Sequence, residues 1–259
     1  MPDLIEVKHD ENIAEVSLNR PEAYNAFNLE MVSQLADHLM VLAKDERIKG
    51  IVIAGKGKAF CAGGDLKYAV ESPEGAGHAF HRLAAQFHLA ITEIRRMRKA
   101  VVAAIHGVAA GGGFSLALAC DFRVIEKTAR LIQAYTSNGL CIDGGGTFTL
   151  PRVVGLARAL EIAAFDNPIS AEQALEWGMV TKIADDGKAF EEALSMLRQL
   201  VQRSVHSFGL AKKLLTDSFT TSFESQIEME RVGLCECAEH PDGQEGLNAF
   251  VEKRKPKYD

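Results

Sequence analysis

The chain begins with two short runs in which apolar and polar residues alternate. They cover Ile5–Asp10 and Ile13–Leu18 and are separated by Glu11-Asn12. Alternation with a period of two places every second side chain on the same face of a strand. Two such runs around a short polar turn predict a β-hairpin. Arg20-Pro21 ends this region, because proline has no N–H group to give to a strand ladder.

Two later segments repeat their apolar residues at helical spacing. Asn28 is a candidate N-cap for a helix that ends near Lys44. The apolar side chains of this helix are Met31, Leu35, Leu39 and Leu42. A second helix is predicted over about residues 78–98, after an irregular segment at 72–77 that contains proline and glycine. Its apolar face carries Phe80, Leu83, Phe87, Ile91 and Ile94.

Two short runs, Ile51 to Ala54 and Val101 to Ile105, are apolar throughout, and a further strand is predicted at Phe122 to Ile125. Uniformly apolar runs of this length are typical of central strands that are buried on both faces. Each of the first two runs is followed by a turn and a polar or helical segment. Such alternation of strands and helices predicts an α/β fold.

The remainder of the chain is predicted to be mainly helical. Short helices cover residues 147–154 and 156–164, and Ser170 is a candidate N-cap for a helix that ends near Trp177. From Lys188 onward the helical pattern continues, in segments divided at 205–208, 220–222 and 240–241.

The composition is that of an ordinary globular protein, with 47% apolar and 25% charged residues in 259. The formal net charge is −6, which argues against nucleic acid or an anionic membrane as the main partner. The five cysteines lack paired C-x-x-C spacing, and the first residues lack the character of a secretory signal. We therefore expect a cytoplasmic protein with reduced thiols.

Two glycine-rich turns follow the two apolar strands. The first is FCAGGDL at residues 60–66, and the second is HGVAAGGG at residues 106–113. Glycine permits a close approach of the backbone, so each turn can direct an unobstructed N–H group at one point. Two converging N–H groups form a hole for a developing oxyanion. Neither run has the spacing of a dinucleotide-binding turn or of a phosphate loop.

These two runs, together with RPEAYNAF at residues 20–27, resemble the crotonase (enoyl-CoA hydratase/isomerase) superfamily. The resemblance extends from Arg20 to the C-terminus. It implies a spiral of ββα units over residues 1–195 and a C-terminal helical region over residues 196–259 that makes trimer contacts and helps to close an acyl-CoA site. The implied partners are an acyl-CoA thioester and further copies of the chain in a homotrimer or homohexamer. No metal and no cofactor are implied besides the coenzyme A of the substrate.

By this resemblance, Gly64 and Gly112 supply the N–H groups of the oxyanion hole that binds the thioester carbonyl. The alternative is that both glycines serve tight turns alone. Other positions match the family's ligand contacts, namely Tyr24, Asn25, Ala26, Ala62 and Leu66. The candidates for binding the CoA phosphates are Lys56, Lys58 and a tail cluster of Lys253, Arg254, Lys255 and Lys257. Cys61 is expected to be a packing residue and not a nucleophile.

Hydratases of this superfamily activate water with two glutamates. The matching positions here are Ser115 and Tyr135, and neither side chain can act as a carboxylate base. Hydration by the two-glutamate mechanism is therefore not expected. We assign Tyr135 to substrate binding.

A carboxylate stands instead at Asp143, in the segment NGLCIDGGGT at residues 138–147. This segment resembles phenylacetate-pathway isomerases, which convert ring epoxides to oxepin-CoA, and Δ3,Δ2-enoyl-CoA isomerases with a single acid. We predict that Asp143 moves a proton between the α- and γ-carbons of the acyl group. Apolar neighbours would favour its neutral form, and the candidates are Phe114, Leu140 and Ile142. The alternative is a loop aspartate that caps the helix near Thr147.

The resemblance also leaves a second mechanism open. In 4-chlorobenzoyl-CoA dehalogenases, the nucleophilic aspartate matches Asp143 and the histidine that activates water matches His88. Their tryptophan, however, matches Tyr135, and a lone helical histidine is also compatible with a surface role. His78 and His81 share the helix of His88, but no acid or cysteine at ligand spacing completes a metal site.

The favoured function is therefore isomerisation of an acyl-CoA double bond through a thioester enolate, with Asp143 as the acid and base. Hydration or hydrolysis, including dehalogenation, through Asp143 and His88 is an alternative. A third possibility, which is not an enzyme, is a non-catalytic protein that binds CoA esters. Residues 68–77 are expected to shape the acyl pocket, whose ligand the sequence does not specify.

Overall fold

A six-stranded sheet forms the centre of the fold, which a computed structural model describes for residues 3–258. In spatial order its strands are β1 (Ile5–Asp10), β2 (Ile13–Leu18), β3 (Gly50–Gly55), β4 (Ala100–Ile105), β6 (Phe122–Glu126) and β9 (Lys182–Ala184). The first pair is antiparallel and the other neighbours are parallel. A smaller sheet contains β5 (Val108–Ala110), β7 (Arg130–Ile132) and β8 (Ile169–Ser170). The predicted hairpin and the α/β class are confirmed.

Helices cover both faces of the large sheet. They are α1 (Leu29–Lys44), α2 (Leu66–Val70), α3 (Ala76–Arg96), α4 (Gly112–Ala119), α5 (Gly146–Val154), α6 (Leu156–Phe165), α7 (Ala171–Glu176), α8 (Ala189–Leu200), α9 (Val205–Asp217), α10 (Phe223–Glu239) and α11 (Pro241–Val251). The apolar faces of α1 and α3 pack in one core with Ile51 and Ile53 of β3. On the opposite face, α8 packs against Val52 and Val102. Two separate cores therefore fix β3 and β4 from both sides.

The predicted caps agree with the structure, and one predicted division does not. Asn28 accepts a hydrogen bond from the Met31 N–H at 2.9 Å, and Ser170 forms a capping box with Gln173. The divisions at 220–222 and 240–241 are confirmed, but the one at 205–208 is wrong. Helix α9 begins at Val205 because Ser204 caps it, so the interruption lies at residues 201–204.

Two further boundaries bear on the predictions. Helix α3 begins at Ala76, inside the segment that was expected to be irregular. The predicted division between residues 195 and 196 lies inside α8, and the separation into two regions stays a prediction. None of the helices within residues 3–258 combines the length and apolar character that crossing a bilayer requires.

Asn25 ties the end of β3 to the first glycine turn. Its side chain is fully buried, and its Nδ2 donates to the main-chain oxygens of Lys56, Ala59 and Phe60 at 2.9, 2.8 and 3.2 Å. Its Oδ1 accepts from the Arg20 N–H at 2.9 Å. The backbone φ of +57° is in the left-handed region, which asparagine tolerates better than most residues. One amide thus satisfies four main-chain groups of this turn.

We expect Asn25→Ala to destabilise the protein by about 2–3 kcal/mol, because buried main-chain groups lose their hydrogen-bond partner. The measurement is the free energy of unfolding in urea. Asn19→Ala is the matched control, since the Asn19 amide donates at the surface to Asp3 O. Equal losses in the two variants would contradict the role of Asn25.

Candidate active site

The two glycine turns lie side by side at the carboxyl ends of β3 and β4. Parallel neighbours end at the same edge of a sheet, and here the pairing continues beyond the strands. Phe60 N–H donates to His106 O at 3.0 Å, and Cys61 N–H donates to Val108 O at 3.1 Å. Ala110 N–H returns a bond to Cys61 O at 2.9 Å. The two turns are therefore one hydrogen-bonded unit.

Glycine is required where the two turns touch. A Cβ atom at Gly113 would lie 2.6 Å from the Cβ of Cys61, which is far inside van der Waals contact. At Gly63, whose φ is +102°, a Cβ would lie 2.9 Å from Ala110 O. The Cys61 thiol between them donates to Asn25 O at 3.1 Å, and burial raises its pKa to about 12. A thiol in this state packs and does not act as a nucleophile.

Gly64 and Gly112 present free N–H groups beside this contact. Among residues 3–258, neither amide finds a hydrogen-bond acceptor, and both residues line the same cavity. Gly112 is the first residue of α4, so its N–H group belongs to the positive end of a helix. The two amides can therefore bind an oxygen that gains negative charge.

The cavity has a volume of about 100 Å³ and is mainly apolar. Its apolar side chains are Phe27, Leu66, Phe80, Leu83, Phe87 and Leu140. Its polar side chains are Tyr135, Asn138 and Asp143. Of the described residues that line it, Asp143 alone carries a carboxylate. An acyl group held by the two amides thus meets a single candidate acid or base.

Ser115 fixes the position of Asp143. Its Oγ donates to the main-chain oxygen of Asp143 at 2.6 Å, and its side chain is buried. Ser115 lies on α4, three residues after Gly112. One short helix therefore carries one of the two free amides and the side chain that binds the Asp143 main chain. The interpretation of Asp143 as a helix cap is wrong, because Gly145 is the N-cap of α5 and no side chain caps it.

The Asp143 carboxyl group contacts an imidazole. The Nε2 atom of His88 lies 2.6 Å from Oδ1 of Asp143, and the two side chains are 53% and 34% exposed. His88 is therefore not a lone surface residue. Of its expected apolar neighbours, Leu140 lines the cavity and Phe114 lies in the buried core.

Tyr135 lines the cavity next to Ser115. Its hydroxyl lies 3.3 Å from Ser115 Oγ, and burial raises its pKa. The phenol therefore stays protonated at neutral pH and can give a hydrogen bond, but it cannot serve as a base. The two positions that hold glutamates in hydratases by the stated resemblance thus hold hydroxyl groups in contact with each other.

The residues expected on the CoA path separate into two groups. Ala62 and Leu66 line the cavity, and exposed Tyr24 accepts a hydrogen bond at its main-chain oxygen from Ala62 N–H at 3.0 Å. These three form a continuous surface at the mouth. Asn25 differs, because its amide is buried and fully used inside the turn. Ala26 is half-buried beside it.

Some of the candidate basic residues are already paired within the chain. Lys56 forms an ion pair with Glu6. Arg254 contacts Glu245 at 2.6 Å and also pairs with Glu252. These arginine contacts, with a main-chain bond from Lys257, lower the pKa of Glu245 to about 2. Assignment of the phosphates to Lys56 or Arg254 would require these pairs to open.

The three histidines of α3 have different surroundings. His78 contacts Glu74 at 2.9 Å, His81 is exposed, and His88 contacts Asp143. In the part of the chain that the structure describes, no group of three or more His, Cys, Asp or Glu side chains is placed to hold a metal ion.

Two features of the site were missed from the sequence. Ser115 was noted as the loss of a glutamate, and its bond to the Asp143 carbonyl was not foreseen. Phe80, Leu83 and Phe87 were assigned to a core face; Leu83 and Phe87 do belong to the core, but all three also form a wall of the cavity, which was not predicted. A cavity wall and a core face have the same apolar helical pattern, so periodicity does not separate them.

The chain is similar in sequence to known proteins over nearly its whole length. The sequence model of the family described as "Enoyl-CoA hydratase/isomerase" matches residues 8–259. The chain is 35% identical over 250 residues to 1,2-epoxyphenylacetyl-CoA isomerase of Escherichia coli, covering 96% of this chain and 95% of that protein. It is 31% identical over 250 residues to 4-chlorobenzoyl coenzyme A dehalogenase-2 of Arthrobacter sp, covering 96% and 91%.

A solved structure agrees over nearly the whole chain. It is an enoyl-CoA hydratase from Polaromonas sp. JS666, with a TM-score of 0.94, 34% identity and coverage of 98% of this chain and 99% of that one. These three proteins are named for coenzyme A thioesters, but one is an isomerase, one a dehalogenase and one a hydratase. The match to the family model, the sequence identity and the shared fold place this chain in the enoyl-CoA hydratase/isomerase family, within the crotonase superfamily.

Proposed function

We propose that this enzyme isomerises the double bond of an acyl-CoA thioester, with Asp143 as its acid and base. The observation that carries the proposal is the single carboxylate of Asp143 in a cavity that also holds the free amides of Gly64 and Gly112. A 1,3-proton shift needs one group that takes a proton and returns it. It also needs a group that stabilises the negative charge of the enolate between the two proton transfers.

The reaction follows from this arrangement. The thioester oxygen lies in the hole, and the Asp143 carboxylate removes a proton from the α-carbon. The C–H electrons move into a thioester enolate, whose oxygen is stabilised by the amides of Gly64 and Gly112. Asp143, now protonated, returns a proton to the γ-carbon, and the double bond moves into conjugation with the carbonyl.

Addition of water is disfavoured by the same residues. A hydratase of this superfamily needs two carboxylates to hold and split water, and Ser115 and Tyr135 stand at those positions. The Ser115 hydroxyl is committed to Asp143 O, and burial raises the pKa of Tyr135. Neither group is available to remove a proton from water at neutral pH.

A second candidate is hydrolysis through a covalent ester on Asp143, as in a dehalogenase. The contact of His88 with Asp143 at 2.6 Å favours it, because a neighbouring imidazole can activate water against such an ester. In that mechanism Asp143 attacks carbon and never carries the substrate's proton. Water then becomes a reactant, which separates the two candidates experimentally.

The first experiment supplies a β,γ-unsaturated acyl-CoA in water labelled with heavy oxygen. We expect conjugated-enoyl absorbance to rise while the product mass stays unlabelled, because no oxygen atom is added. Label on the acyl chain would support a hydratase, and label in a released acid would support a hydrolase. Absence of both conjugation and α-proton exchange would support a non-catalytic protein that binds CoA esters.

We expect Asp143→Asn to lower kcat by about 10³-fold, since general acid–base catalysis contributes 10²–10⁴-fold. Affinity for a saturated acyl-CoA should stay within about twofold, because the hole and the CoA surface are untouched. Cys141→Ser is the control, since Cys141 is exposed in the same loop. Retained turnover in Asp143→Asn would remove Asp143 from the mechanism.

We also propose that the chain forms a homotrimer or homohexamer. The C-terminal helices expose large apolar side chains, among them Leu234, Phe250 and Val251, which are 73%, 83% and 78% exposed. Surfaces of this kind mark contacts between proteins. Cytoplasmic location stays a prediction from the sequence.

Light scattering should give three or six times the mass of one chain. We expect Phe250→Asp to lower that mass, because a charge would be buried in the contact. Val41→Asp, at an exposed apolar position on α1, should leave the mass unchanged. A wild-type monomer, or dissociation by both variants alike, would contradict the assignment of the contact to α11.

A further inference from the structure

The contact between His88 and Asp143 joins the cavity to solvent. Asp143 lines the cavity, whereas His88 lies outside it and is 53% exposed. The preceding residue of α3, Phe87, is buried and forms part of the cavity wall. Successive helical residues point about 100° apart, so α3 directs Phe87 inward and His88 toward water. The imidazole thus spans the boundary between the reacting carboxyl group and the solvent.

We infer that His88 exchanges the proton held by Asp143 with solvent water between the two halves of the isomerisation. The inference rests on the proposed function, because it describes what happens to the proton while the enolate occupies the hole. It assigns His88 a role through Asp143 and without contact to the substrate. Exchange through His88 makes the proton delivered to the γ-carbon a solvent proton.

The transfer balances without any further reactant. The α-carbon loses a proton to Asp143, and the electron pair stays in the enolate. In the neutral tautomer that carries its proton on Nδ1, His88 then accepts that proton at Nε2 from Oδ1 of Asp143, which forms an imidazolium beside a carboxylate. The ring N–H groups exchange with water, Nε2 returns a proton to Oδ1, and Asp143 delivers it to the γ-carbon. Imidazole suits this step, because it gains and loses a proton near neutral pH.

Other groups at the site do not offer the same route. The Ser115 hydroxyl is engaged with Asp143 O, and burial raises the pKa of the Tyr135 phenol. Tyr135 lines the cavity, and Ser115 is buried. The remaining route is direct contact of water with Asp143, which is 34% exposed. A variant of His88 separates this direct route from the route through the imidazole.

The experiment follows isomerisation of a β,γ-unsaturated acyl-CoA in heavy water. Conjugated absorbance reports turnover, and mass spectrometry with NMR reports deuterium at the γ-carbon. His88→Gln is the informative variant, because its amide can donate to Asp143 from near the Nε2 position but cannot accept and release a proton. His81→Gln is the control, since His81 is exposed on the same face of α3, about two helical turns before His88.

We expect the wild-type enzyme to place deuterium at the γ-carbon in most product molecules. In His88→Gln the deuterated fraction should fall about fivefold or more, while turnover falls by about tenfold or less, because Asp143 then returns the substrate's own proton. The His81→Gln enzyme should match the wild type. A His88 that merely supported the fold would change turnover and leave the deuterated fraction unchanged.

An unchanged deuterated fraction in His88→Gln would overturn the inference, since Asp143 would then exchange directly with water. A wild-type enzyme that conjugates nothing would instead refute the proposed function. Should His88→Gln lose turnover, deuterium uptake at the α-carbon of a saturated acyl-CoA provides a second measurement. That uptake should also fall about fivefold or more relative to His81→Gln if the exchange passes through His88, and equal uptake would overturn the inference.

Discussion

The close approach of two backbones at the ends of β3 and β4 is the constraint on which the site depends. Hydrogen bonds between residues 60–61 and 106–110 continue the parallel ladder past the sheet. Gly113 and Gly63 permit the contact, because a side chain at either position would meet the other turn. With the two turns locked, the amides of Gly64 and Gly112 point into one cavity. The proposed oxyanion hole is thus a consequence of strand pairing.

Helix α4 connects the glycine turns to Asp143. Gly112 at its start gives an amide to the hole, and Ser115 in its first turn binds the main-chain oxygen of Asp143. The position of the carboxylate relative to the hole is therefore set by about one helical turn of rigid backbone. A glutamate at residue 115 would itself be a base. Ser115 instead binds the loop before α5, which carries Asp143, the proposed base.

Sequence patterns predicted the structural features that depend on residues close together in the chain. The hairpin, the cap at Asn28, the capping box at Ser170 and the two buried strands each follow from a few consecutive positions. The start of α9 was missed because Ser204 and the following apolar residues allow more than one boundary. The strands β5, β7, β8 and β9 have two or three residues and show no period of their own.

Contacts between distant residues explain the remaining differences. His88 and Asp143 are 55 positions apart, and only the packing of α3 beside the loop before α5 brings them together. The same holds for Asn25, whose family match indicated a ligand contact. Its three bonds to residues 56–60 show that it shapes the first turn from inside. The family resemblance therefore located Asn25, His88 and Asp143 near the site. Their hydrogen-bond partners show what each side chain contacts there.

The His88 and Asp143 pair is compatible with more than one reaction, and the position of the acyl group decides between them. If the α-carbon lies beside Asp143, the carboxylate acts as a base and the enolate charge goes to Gly64 and Gly112. If an electrophilic ring carbon lies there, the same oxygen acts as a nucleophile. In this chain the apolar wall of the cavity of about 100 Å³, formed by Phe80, Leu83 and Phe87, would limit how deeply an acyl group can enter, and so which of its carbons lies beside Asp143.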